Sequence, residues 1–107
     1  MKTSINVHVC PITSPRSGEA VRNQYTIKGD GFVAFQSYDS LIAVKSDECL
    51  TLGRHWDYSV TTSKYLWQWL REYCWHIVRQ LPDGKSGADR IRKAIDAGLI
   101  NYDPDMV

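Results

Sequence analysis

The spacing of apolar and polar positions changes character midway along the chain. Over residues 5–10, Ile5, Val7 and Val9 alternate with Asn6, His8 and Cys10, the two-residue period of a half-buried strand. Pro11, which brings no N–H to a ladder, is expected to end it. Thr13-Ser14-Pro15-Arg16-Ser17-Gly18 has the chemistry of an exposed turn. A second strand is predicted over residues 21–28, after which Gly29-Asp30-Gly31 tolerates the positive φ of a tight hairpin. Residues 31–36 return as a third strand, Tyr38-Asp39-Ser40 interrupts, and residues 41–45 and 49–52 pair through Ser46-Asp47-Glu48. Residues 4–52 thus read as an antiparallel meander of four or five strands.

Beyond His55-Trp56-Asp57-Tyr58-Ser59 the period becomes helical. Thr61, Thr62 and Ser63 are N-cap candidates, and the pattern predicts one long helix over residues 62–81. Leu66, Leu70, Tyr73, Cys74, Ile77 and Leu81 gather on one face of its wheel, with Trp67 and Trp69 at the two borders. Pro82-Asp83-Gly84 stops it. A shorter helix over residues 86–97 opens at Ser86, with Asp89 completing an acidic capping box and Gly98 following its end. The tail, residues 101–107, carries aspartates and Pro104 and is expected to be loosely ordered. One amphipathic helix and one open sheet each need cover for an apolar face, and packing the helix across the sheet supplies both. The expected fold is therefore a single two-layer α+β domain, with Val7, Val9, Ile27, Phe35, Ile42, Leu66, Leu70 and Ile77 in its core.

Composition narrows the function. The chain has 107 residues, and its 13 Lys and Arg against 12 Asp and Glu leave a net charge of +1. Such a balance argues against a DNA mimic and against a histone-like protein. No apolar run reaches membrane-spanning length and no secretory leader is visible, so a cytoplasmic, non-membrane protein with reduced thiols is expected. Three cysteines and three histidines form only two close pairs, His8/Cys10 and Cys74/His76, far from the paired CxxC spacing of a structural zinc site. There is no glycine-rich phosphate loop, G-x-S-x-G elbow or H-E-x-x-H helix. The reading is a non-enzyme without metal or cofactor.

Two constellations point to binding instead. On the wheel of the long helix, Trp75 projects among Gln68, Arg71, Glu72 and Arg79, and Trp with Arg dominates protein-interface hot spots. These five residues form the candidate protein-binding face; the alternatives are that the C-terminal helix or tail folds over Trp75, or that the same face is the contact of a homodimer. Alternatively, the strand aromatics Tyr25 and Phe32 could stack bases while Arg90, Arg92 and Lys93 meet phosphates, as in a single-stranded nucleic-acid binder.

Two stretches also carry a resemblance. Phe35-Gln36-Ser37-Tyr38-Asp39-Ser40-Leu41-Ile42-Ala43, and Trp56-Asp57-Tyr58-Ser59-Val60-Thr61-Thr62-Ser63-Lys64-Tyr65 after Leu52-Gly53, resemble a family of small uncharacterised proteins of bacteriophages, prophages and plasmids. With Pro11 to Gly18 and Asn23 to Ile27 ahead of them, the match covers about residues 10–70, leaving Trp75 outside. The resemblance implies a mobile-element accessory protein that binds a host protein or ribonucleoprotein, with an anti-CRISPR or other anti-defence inhibitor as the leading case. It assigns no residue a role. The Trp56-Asp57-Tyr58-Ser59 segment has a structural reading, in which Asp57 caps the helix and Trp56 fills the space between the layers.

Overall fold

A computed structural model describes residues 7–107. Six strands, β1 (His8–Thr13), β2 (Ala20–Gly29), β3 (Phe32–Ser37), β4 (Ser40–Ser46), β5 (Cys49–Gly53) and β6 (Asn101–Asp103), form one sheet in sequence order. The first five are successively antiparallel, and β6 joins β5 in parallel. Between β5 and β6 lie α1 (Val60–Tyr73), α2 (Trp75–Val78) and α3 (Gly87–Asp96). The architecture is α+β. The expected four or five strands are six, and the expected tail contributes the sixth. Hydrogen bonds from the Arg54 backbone N–H to the Met106 carbonyl (3.1 Å) and from Arg54 Nε to the Pro104 carbonyl (3.0 Å) hold the rest of that tail. Gly53 permits the approach, because a Cβ there would lie 2.5 Å from the Met106 oxygen and 2.8 Å from that of Leu41.

The pairing register sorts the side chains. Thr26, Phe35, Ala43 and Leu52 lie in one row, and Phe35 stacks on Trp69 of α1 with ring centroids 6.3 Å apart, so this row faces the helices. Val9, Ile27, Ala34, Val44 and Thr51 form the adjoining row, on the other side of the sheet. A bulge between Phe35 and Gln36 admits an extra residue on β4 and lets the consecutive Ile42 and Ala43 both be buried. The core then fills with Leu50, Leu52, Trp56, Leu66, Trp69 and Leu70, closed by Ile91, Ala94 and Ile100.

Several expectations for the first strand are corrected. Ile5 and Asn6 lie outside the described residues. Strand β1 runs through Pro11 rather than ending there, because it is an edge strand whose residues need a ladder partner on one side only. Val7 and Val9 are exposed, at 43% and 59%, and the residue that β1 buries is Ile12, beyond a register shift after Pro11. Ile27 is half-buried on the open face, while Gln24 and Thr26 turn inward.

The long helix is also corrected, being two helices that meet at Cys74, where φ −129° and ψ 36° leave the helical region. A 20-residue helix would span about 30 Å, against roughly 20 Å for six-residue strands. Breaking at the sheet's end brings Ile77, Val78 and Leu81 back into the core instead of carrying them past it. The N-cap of α1 is Ser59, whose Oγ accepts the Thr62 N–H at 3.0 Å, not one of the three hydroxyl residues that follow. Asp57 does not cap. It pairs with Arg92 Nη2 at 3.2 Å, while Trp56 is buried between the layers as expected. In α3, Ser86 caps the Asp89 N–H at 3.1 Å, and the Asp89 carboxylate accepts from the Lys85 N–H at 2.9 Å. The Lys85 N–H, with Lys93 beside it, holds the Asp89 carboxyl below its ordinary pKa.

Candidate functional site

The break at Cys74 decides how the expected protein-binding face is built. Gln68 sits on α1 and is half-buried, its Nε2 donating to the Thr13 carbonyl of β1 at 2.8 Å. That contact commits Gln68 to holding the edge strand. Arg71 and Glu72 are exposed on the last turn of α1, and Trp75 opens α2 with Arg79 as its C-cap. Among the described residues, Arg71, Glu72 and Arg79 make no ion pair or side-chain hydrogen bond. Trp75 is 55% exposed.

A firm base carries this exposed ring. Cys74, Ile77 and Val78 are buried, and His76 Nε2 lies 3.3 Å from both the carbonyl and a carboxylate oxygen of Glu48 in the β4–β5 turn. Burial pushes the Cys74 thiol up to about 11, with Lys45 pulling weakly the other way. Cys10 and Cys49 are exposed free thiols.

The residues of the nucleic-acid alternative are distributed differently. Tyr25 and Phe32 are half-buried on the sheet face turned away from the helices, where the ladder rows through Val9, Pro11, Phe32 and Leu41 contain no Lys or Arg. The basic cluster lies on α3, in the helical layer, with its cations engaged. Arg90 Nε donates to the Pro82 carbonyl at 3.0 Å, and Lys93 Nζ to the Asp83 carbonyl at 3.2 Å. Arg92 holds Asp57 and lies over the Trp56 ring, 5.6 Å from its centroid. The sheet therefore stands between the aromatics and the cations.

What the sequence reasoning missed lies at the other end of the molecule. The β3–β4 turn and the segment leading into α1 enclose a cleft of about 600 Å³. Tyr38, Asp39 and Ser40 form one wall; His55, Tyr58 and Thr61 form the other. Ser37 Oγ and Thr62 Oγ1, 3.1 Å apart, join the walls, and Ser59 Oγ donates to Thr62 Oγ1 at 3.0 Å. Tyr38 holds the left-handed conformation at φ 53°, uncommon for a bulky residue, with its N–H on the Asn23 carbonyl and its own carbonyl on Gln36 Nε2. One signal for this cleft was present in the chain: two of the segments that carry the resemblance, Phe35 to Ala43 and Trp56 to Tyr65, contribute to it.

No curated protein and no solved structure matches this chain. A family model does match, over residues 8–85, which takes in the first five strands, the cleft, α1 and α2 with Trp75, and stops short of α3. On that match, spanning well over half its length, the chain belongs to a family of unknown function, DUF8033.

Proposed function

We propose that this chain is a non-catalytic binding protein that docks on a host protein or ribonucleoprotein, in the setting of a phage or other mobile element. Inhibition of a bacterial antiviral defence complex, as by an anti-CRISPR protein, is the leading case. The observation that carries the binding reading is Trp75: a large apolar ring more than half exposed, on a short helix anchored by buried neighbours. Ordering costs at an interface are lowest for groups that are already fixed, and burying a tryptophan is among the largest single gains an interface makes. Arg71, Glu72 and Arg79, unpaired among the described residues, supply a polar rim around it. Gln68 belongs to the edge of this face, its amide already used by Thr13. The mobile-element setting rests on the resemblance alone.

The test is capture of partners from a bacterial lysate by the tagged chain, with and without nuclease, followed by measured affinity for the partner recovered. Trp75→Ala is expected to cost about 2 kcal/mol or more, some thirty-fold in Kd, with circular dichroism unchanged. Unaltered affinity in that variant removes the Trp75 face from the reading. Recovery that vanishes with nuclease transfers the function to nucleic acid, and a concentration-dependent dimer lost in Trp75→Ala makes the face a self-contact.

A further inference from the structure

We infer that the cleft between the β3–β4 turn and the start of α1 is a binding site for a neutral saccharide. It lies at the far end of the sheet from Trp75: α1 begins against Ser37 and ends with Tyr73 over Lys28, beside the β2–β3 turn. Its volume, about 600 Å³, falls within the range of small-molecule sites.

The chemistry of the walls selects the ligand. Seven of the ten lining residues carry a hydroxyl, a group that both donates and accepts. Ser37, Ser59 and Thr62 spend theirs on one another, while among the described residues the hydroxyls of Tyr38, Ser40, Tyr58 and Thr61 have no protein partner. No Lys or Arg lines the cleft. Its one carboxylate, Asp39, lies across from the opening turn of α1, where the macrodipole presents partial positive charge. An anion meets Asp39 and a cation meets the helix terminus. An uncharged ligand rich in its own donors and acceptors meets neither repulsion. The apolar contribution suits the same ligand, because Ile42 lines the cleft together with the rings of Tyr38 and Tyr58, exposed at 55% and 76%, against which the C–H side of a sugar can pack.

The site is tested on the full chain by following backbone amide resonances while titrating neutral mono- and disaccharides of glucose, galactose, mannose and N-acetylglucosamine. Inorganic phosphate and free arginine serve as charged comparisons. At least one saccharide is expected to shift amides confined to residues 37–42 and 55–62. Its affinity should fall about ten-fold in Tyr58→Ala, whose side chain is largely exposed, and also in Asp39→Asn. Trp75→Ala should leave it unchanged, which separates this site from the proposed protein-binding face. The inference is overturned if no saccharide moves these amides, if phosphate or arginine moves them and saccharides do not, or if the saccharide response survives both cleft variants.

Discussion

Gln24 is wholly buried on the helix-facing side of β2, next to Ser37 on β3, and neither its Oε1 nor its Nε2 has a protein partner among the described residues. An amide taken from water without compensation costs about 1–3 kcal/mol. Methionine has nearly the same length and no branch at Cβ, so Gln24→Met removes the polar group while keeping the volume. The expected result is a gain of about 1–3 kcal/mol. Because unfolding a domain of this size shifts by roughly 4–8 °C per kcal/mol, that gain should raise Tm by several degrees or more. Urea unfolding followed by tryptophan fluorescence gives the cleaner measurement. The midpoint should rise by about 1 M while the slope stays the same, the mark of a stability change without a change in the exposed surface. Trp69, stacked on Phe35 and itself carrying an unpartnered Nε1, reports from the same layer. Destabilisation by 1 kcal/mol or more would refute the reasoning, since it would mean that the amide is paired in solution and that Met breaks the pairing.

Two further predictions concern α1 and the break that follows it. Ser59→Ala removes the acceptor of the Thr62 N–H and one member of the Ser37–Thr62–Ser59 chain, and should cost about 1 kcal/mol in the same urea titration. Burial of Cys74 raises its pKa from 9.0 to about 11, so the folded state resists ionisation that the unfolded chain undergoes freely. Stability is therefore complete below pH 9 and falls between pH 9 and about 11, by up to about 2–3 kcal/mol from this group. Cys74→Ala should flatten that alkaline limb even if it lowers stability at neutral pH. With dithionitrobenzoate at neutral pH, Cys10 and Cys49 should react in the native state and Cys74 only on unfolding; three equally fast thiols would contradict its burial.

Much of this fold was legible because it depends on local periodicity. The inner strands β3, β4 and β5 show their buried residues in the chain, as do α3 with its Ser86 cap and the α1 stripe of Leu66 and Leu70. Strand β1 misled because alternation shows that two faces differ without showing which one is covered. On an edge strand Val9 stays exposed, and a register shift after Pro11 puts Ile12 inward. The cleft was illegible for another reason. Its walls come from a turn and a loop some 15 residues apart, each with sufficient local reason for its composition, and only the antiparallel return of β4 and β5 brings them together.

Trp75 shows how a sound expectation can rest on a step the structure does not keep. Its place on the polar face is expected from the wheel of an unbroken helix, which puts it opposite Leu66, Leu70 and Ile77, with cover by the C-terminal segment left open. With the helix interrupted at Cys74, that wheel no longer relates Trp75 to α1 at all. The ring is exposed because α2 is only four residues long and spends its inward directions on Ile77 and Val78, leaving its first position facing solvent. The break accompanies a mismatch of length: β3 and β4, which pack against α1, have six and seven residues, about 20–23 Å, against about 30 Å for an unbroken helix. The same mismatch that closes the core at Leu81 thus sets a tryptophan at the corner of the molecule, held from beneath and open above.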